Sequence, residues 1–578
     1  MISDGLSEES YLLRQKTQRD VEGVEDISVI WTKQSLIIIY ISVFVVMYCI
    51  SLESQTTSNF ILPATSSFGK NSLIPLINTI NGILYTAVKQ QMLRLSGLIG
   101  IMEVFCISLL LYDIGCLMYM ISKNIITFII SSIFHTIGTT GFHVLEQFVI
   151  TDTSELLNRG LLNTILNIPL LINVWVGPNL AQSIYMPKSD SEQWRWGYGI
   201  WAIVLSVVSL PMVSILYLNR LKAKEMGLLS IEDNHSRTIC AFIKRLFVEL
   251  DLVGIIILSL GFSLFFFQLI HEFPVLYDAK SVYISSILII LIVLCVVFPL
   301  WEFHYAKFPI FSKGLFKMEE ITIGYFSSFF YFMGFYLYNN YFTTYLYVTK
   351  SNSIKRIGYL NNVFSFTSTI VAIFVGIFVK YNKIYRIFVY IGSPIYIIGI
   401  IFMIYNLRTD ESVMEMVISQ AIIGISGGFY NMSTLVGIQI SSTRQQVAIN
   451  TAVFLTLASV GGAIGSAISG IVWSNLLPKM LNFYSKYLNL FLTPSDYLLI
   501  IGSPFMLDQH VKFAKGTVGR MVIVLAYNDV MRTLYICSVI CAVPMLLCVM
   551  FTENIHIDKT AQDSFKVIDM YRDSDELK

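Results

Sequence analysis

The chain reads as an all-α membrane protein of about fourteen transmembrane helices, built as two pseudo-symmetric six-helix halves plus two extra helices. Composition predicts this first: 55% of the 578 residues are hydrophobic and only 13% are charged, whereas soluble globular chains carry about 45–50% apolar and about 25% charged residues. Apolar runs long enough to span a bilayer, about 20 residues at 1.5 Å rise, then recur from about residue 34 to residue 551. Finally, a basic connection at 220–250 separates the sixth run from the seventh and divides the chain into halves of similar hydropathy, the pattern of a carrier made from two repeats. These three features together predict a major facilitator architecture with a ligand site near the midplane, between the halves.

The elements follow in order. Residues 1–33 are polar and acidic, lack the short apolar core of a cleaved signal peptide, and read as a cytosolic tail. Spans are expected near 34–52, 72–88, 104–122, 125–150, 161–182 and 196–219, which make the N-terminal transmembrane half, 34–219. The loop 220–250 holds Arg220, Lys222, Lys224, Arg237, Lys244 and Arg245, and short basic connections stay in the cytosol. Spans near 251–270, 281–301, 321–347, 358–380, 384–405, 413–440 and 446–476 make up the central and C-terminal helices, 251–476. A long connection at 477–531 precedes the last span, 532–551, and a tail at 552–578. An even span count puts both tails in the cytosol, in agreement with Arg14, Lys16, Arg19 and Lys33, and makes 477–531 extracellular. Its aromatics Tyr484, Tyr487, Phe491 and Tyr497 suit a lid or a receptor surface for a bulky ligand.

Several functions are excluded. No contiguous soluble stretch is long enough for a catalytic domain, so the chain is not expected to be an enzyme. With 39 basic against 38 acidic residues there is no basic field for nucleic acid. No GxxxxGK[ST] loop occurs, which points to an ion gradient rather than ATP as the energy source. Seven of the eight cysteines, Cys49, Cys106, Cys116, Cys295, Cys537, Cys541 and Cys548, lie in apolar runs and Cys240 in the basic loop. They read as packing residues, and no CxxC or HxxxH pattern suggests a metal or cofactor site.

Ionisable side chains inside spans are costly and mark function by default. Away from span ends, the candidates are Asp113 in the third span and His135, His143 and Glu146 in the fourth. At 100° per residue His135 and Glu146 differ by about 20° and share a face, with His143 about 80° from His135. A histidine and carboxylate set can take up and release a proton near neutral pH, so these residues are proton-coupling candidates. Glu53 joins them, in the polar cluster Ser51-Leu-Glu-Ser-Gln-Thr56 that closes the first span at the outer face. The ninth span carries Tyr336, Tyr338, Asn339, Asn340, Tyr341 and Tyr345, and the twelfth adds Tyr430 and Asn431. Lipid tolerates no such density of hydrogen-bonding groups. Tyr336, Asn339, Asn340, Tyr341, Tyr430 and Asn431 are therefore the substrate-binding candidates, suited to a large organic ligand rich in carbonyl and amide oxygens. Gly461, Gly462, Gly465, Ser466, Ser469 and Gly470 have the small-xxx-small spacing that lets helices approach closely.

Several stretches carry a resemblance: Thr151-Asp-Thr-Ser-Glu-Leu-Leu-Asn-Arg-Gly160, Trp194-Arg-Trp-Gly-Tyr-Gly-Ile-Trp201, Gln445-Gln-Val-Ala-Ile-Asn-Thr-Ala452, Gly461-Gly-Ala-Ile-Gly-Ser-Ala-Ile-Ser-Gly470 and Ala526-Tyr-Asn-Asp529. Together with the end of the first span they resemble the fungal siderophore–iron transporters of the major facilitator superfamily, which usually have Asp where Glu53 stands. The resemblance covers nearly the whole membrane portion. It implies uptake of ferric siderophores by proton symport, at the plasma membrane or in endosomal or vacuolar membranes. The expected partners are thus an iron chelate, protons and the lipid bilayer. One departure stands out: the superfamily's acid and basic residue in the loop between spans two and three are replaced by Gly97 and Ile101. That leaves open a glutathione or drug/proton antiporter, whose pattern Gly177-Pro178 partly matches, and a sensor that binds without transport.

Overall fold

In a bilayer every backbone N–H and C=O must find its partner within the chain, which leaves helices as the spanning element for runs of this kind. The computed structural model describes residues 33–153, 168–185, 193–225, 319–350, 353–382, 384–407, 413–442 and 447–552, with short pieces between 253 and 305. Most of the expected seventh and eighth spans, most of the basic loop and nearly all of both tails lie outside the described residues.

The N-terminal half contains α1 (Lys33–Thr57), the short α2 (Ile61–Ser67), α3 (Ile74–Ile99), α4 (Ile101–Ile121), α5 (Ile125–Thr153), α6 (Ile168–Ile184) and α7 (Trp194–Glu225). The C-terminal half contains α8 (Glu319–Thr349), α9 (Ile354–Asn382), α10 (Arg386–Asn406), α11 (Val413–Ile440), α12 (Val447–Tyr487), the short α13 (Pro494–Gly502) and α14 (Val518–Met550). Among the described residues, nine helical stretches are long and apolar enough to cross a membrane. We call the end of the bundle where α1 begins proximal and the opposite end distal.

Three boundaries differ from expectation, for one reason. A hydropathy reading stops at polar residues, but the helix does not when those residues face protein. The first span continues past 52 through a 3₁₀ turn into α2, giving one apolar path from Ile37 to Ser67. The second runs to Ile99 rather than 88 and so includes Lys89. Most of the long connection is also helical, since α12 persists to Tyr487 and α14 begins at Val518.

The two halves meet with internal symmetry. The second long helix of each half packs on the fifth of the other, α3 on α12 and α9 on α6. Within the C-terminal half α8 lies against α12 and α14. The glycine stripe makes the α8–α12 contact possible: a Cβ on Gly461 would stand 2.1 Å from the Phe329 carbonyl oxygen, and one on Gly465 2.2 Å from that of Met333. Farther along, Tyr341 stacks on Trp473 with ring centroids 3.9 Å apart, so the two helices run parallel. Helices in lipid gain little by hiding apolar surface from one another, so this backbone proximity and its dispersion contacts hold the pair.

Candidate functional site

The first candidate centre joins α1 to α5. His135 Nε2 stands 3.3 Å from Glu53 Oε1, an ion-pair distance without hydrogen-bond alignment, and the two side chains are 17% and 2% exposed. Glu53 also accepts a hydrogen bond from Thr57 Oγ1 at 3.0 Å. The imidazole is bracketed by Tyr112 and Tyr119, with centroids at 5.0 and 5.8 Å. Its approach depends on small residues: a Cβ at Gly115 would lie 2.5 Å from the His135 backbone nitrogen. The continuous path from Ile37 to Ser67 puts Glu53 near the middle of its span, not at the outer face. His135 is likewise near the middle of the span Ile125–Glu146.

The remaining ionisable candidates lie elsewhere. His135 and Glu146 share a helical face, but eleven residues separate them by about 16 Å along the axis. Glu146 Oε2 instead lies 3.3 Å from His143 Nδ1, one turn away. That pair abuts α3, where Tyr85 meets the His143 ring edge-on at 5.8 Å. Asp113 turns to α7 and accepts a hydrogen bond from Ser206 Oγ at 2.7 Å, while its Oδ1 is buried without a partner. The single set expected from sequence is thus three local groups, and Glu53–His135 is the most enclosed.

The second centre is a polar wall between the halves. On α3 the described side chains from Ile74 to Met92 are buried except Asn78, Asn81, Gly82, Tyr85 and Lys89, which are half-buried. Asn78, Gly82, Tyr85 and Lys89 fall within about 60° of one another on the helix. A Cβ at Gly82 would meet no atom within 4 Å, so this stripe borders open space. Asn78 Nδ2 donates to Asn340 Oδ1 across the halves at 2.9 Å, and Asn340 Nδ2 donates to Ser466 Oγ at 3.0 Å.

The substrate candidates divide accordingly. Tyr336 and Asn339 are half-buried, the Tyr336 ring lying against Gly462 of α12, and Asn340 ties the wall to α12. Asn431 is also half-buried, with its Oδ1 unpartnered. Tyr341 and Tyr430 are fully buried. Tyr341 donates to the Ser72 carbonyl at 3.1 Å, and Tyr430 stacks on Tyr331 at 4.8 Å. Sequence reading missed Asn78, Tyr85 and Lys89, although their spacing of seven and four residues is that of a helical polar stripe.

At the distal end the connection between α12 and α14 forms a strap. Ser503 Oγ donates to the Ser66 carbonyl at 2.8 Å, and a Cβ on Gly502 would lie 2.5 Å from the Gly69 oxygen. Phe505 stacks on Tyr347 at 4.8 Å and meets Tyr185 edge-on at 5.4 Å. Residues of both halves therefore hold it. Arg520, only 6% exposed, pairs with Asp508 at 3.1 Å. Asp496 caps α13 and lies 2.5 Å from Lys512. Burial opposes its ionisation, but the bonds from Lys512 and Thr493 outweigh that and hold the carboxyl below the usual range. Of the aromatic candidates, Tyr484 donates to Asp529 at 2.6 Å beside a cavity of about 600 Å³ that Asn528 and Arg532 also line. Tyr497 packs on the C-terminal core, whereas Tyr487 and Phe491 are 73% and 81% exposed.

At the proximal end the turn from α3 to α4 is Gly100, with φ +103°, a conformation other residues rarely adopt. Glu103 beside it pairs with Arg220 of α7. An ion pair thus stands next to the turn where Gly97 and Ile101 replace the superfamily's charges.

Comparison with known proteins agrees with this layout. Residues 39–318 match the model of the Major Facilitator Superfamily. The chain is similar to siderophore iron transporter mirC of Emericella nidulans, 34% identical over 95% of this chain and 89% of that one. It is also similar to siderophore iron transporter 2 of Schizosaccharomyces pombe, 31% identical over 95% and 92%. Among solved structures, a bacterial homologue of the human lysosomal transporter Spinster, inward-facing and unoccupied, aligns with TM-score 0.56 at 12% identity, covering 90% of this chain and 98% of that one. That likeness speaks for the fold.

Proposed function

The chain is a multi-pass membrane protein of the siderophore iron transporter family within the major facilitator superfamily, not an enzyme, and we propose that it imports ferric siderophores by proton symport. The iron travels as part of the chelate, so recognition falls to groups that meet its organic shell and ligand oxygens. Tyr336 and Asn339 of α8 and Asn78 and Tyr85 of α3 supply half-buried phenol and amide groups from the two halves, and the α3 stripe borders open space at Gly82. A ligand held by both halves biases how they sit together, which is what alternating access requires.

The observation that carries the coupling is Glu53 beside His135 near mid-span. A buried carboxylate next to a neutral imidazole is poorly solvated. One added proton turns the two into a matched ion pair or a neutral acid with its acceptor. Because Glu53 belongs to α1 and His135 to α5, the proton changes how strongly these helices hold each other. The membranes we assign are the plasma membrane and endosomal or vacuolar membranes. The test is accumulation of iron-labelled hydroxamate and catecholate chelates in a fungal host stripped of its own carriers, with and without an uncoupler. Accumulation abolished by the uncoupler is expected. Uptake indifferent to it would overturn symport, and binding without accumulation would make the protein a sensor.

A further inference from the structure

Lys89 places an ammonium group inside the membrane domain, on α3. It is the sixteenth residue of α3, about 22 Å from the distal start of that helix. Intramembrane cations are retained where they meet a partner or a substrate. Among the described residues Lys89 forms no ion pair. Its nitrogen lies 5.8 Å from the Tyr85 ring centroid. Glu146 is the acid that acts on it electrostatically, but that carboxylate stands 3.3 Å from His143 Nδ1. Lys89 thus sits on the half-buried stripe that borders open space at Gly82, in line with Asn78, which meets the opposite half at Asn340.

We propose that Lys89 is a specificity-determining residue that selects chelates carrying negative charge, by donating to their anionic ligand oxygens in the space between the halves. The inference rests on reading the chain as a siderophore carrier and adds a charge preference to it. The chemistry separates two substrate classes. Three hydroxamates, each a monoanion, neutralise ferric iron. Three catecholates, each a dianion, leave the complex triply negative, with that charge spread over its iron-bound oxygens. An ammonium with three donors and no ion-paired carboxylate among the described residues complements the second class. The neutral class gains a hydrogen bond from the ammonium but no ion pair.

The test measures KM for a ferric trishydroxamate and a ferric triscatecholate in the carrier-deficient host, normalised to protein at the cell surface. Lys89→Met is expected to raise KM for the triscatecholate about tenfold or more and to change that for the trishydroxamate less than about twofold, as loss of one charge-assisted contact implies. Lys89→Arg, which keeps the charge, is expected to recover most of the difference. Equal losses for both chelates, or uptake of the neutral chelate alone by the unmodified protein, would overturn the proposal. Uptake of neither chelate by unmodified protein at the surface would instead overturn the carrier reading on which it stands.

Discussion

Glu53 of α1 and His135 of α5 face each other at 3.3 Å, near the middle of both spans, with the carboxylate almost wholly enclosed. Thr57 below and the Tyr112 and Tyr119 rings around them leave few routes by which water could solvate either charge. The pair is therefore where the proposed symport would take up its proton.

Substitution at this pair should affect transport more than substitution at His143–Glu146. Glu53→Gln keeps the acceptor for Thr57 but removes the charge. Uptake is expected to fall at least about tenfold, and what remains to lose its pH dependence. Glu53→Ala is expected to destabilise the protein as well, by about 3 kcal/mol, the scale for breaking a buried pair. Uptake assays across pH with thermal unfolding of the purified protein check both.

The glycine stripe gives a prediction about packing alone. Gly465→Ala would drive a Cβ into the Met333 carbonyl, 2.2 Å away, and should cost about 1–3 kcal/mol as α8 and α12 are forced apart. Gly82→Ala meets no atom within 4 Å and should fold normally. Thermal melting in detergent separates the two.

At the distal end, the Ser66–Ser503 contact should be present only while that side is closed. Replacing both residues by cysteine and oxidising them is expected to stop uptake, with recovery on reduction and no change in surface protein. Continued uptake by the fully cross-linked protein would show that the strap and the N-terminal half do not separate during the cycle.

The cap on α13 has a definite pH sign. Asp496 is held below the usual carboxylate range by Lys512 and Thr493. Its contribution is therefore full above the unfolded value of about 4 and fades as pH falls through the lower folded value. Thr493→Ala should loosen α13 by about 1 kcal/mol at neutral pH. Asp496→Asn should do so at neutral pH and make progressively less difference in acid. Amide hydrogen exchange across residues 493–502 reads both.

Much of this was legible in the sequence, because hydropathy and helical period follow from the bilayer itself. The span 413–440 coincides with α11, and the small-residue stripe of α12 packs as its spacing implied. What escaped was depth and pairing. The polar run after residue 50 looked like the end of a span, yet Thr56, Thr57 and Asn59 turn their hydrogen bonds back onto the helix and it continues. Lys89 was lost the same way, placed just beyond a span that in fact encloses it. His135 and Glu146 share a face by period, but period carries no information about the helix on which His135 finds its carboxylate.

The central claim is that chelate and proton cross together, and a proton-flux measurement tests it most directly. With the purified protein in sealed liposomes and no imposed gradient, an inward ferric siderophore gradient should alkalinise the medium, and Glu53→Gln should abolish that signal. Chelate entering without any pH change in the medium, or the same signal from Glu53→Gln, would contradict it.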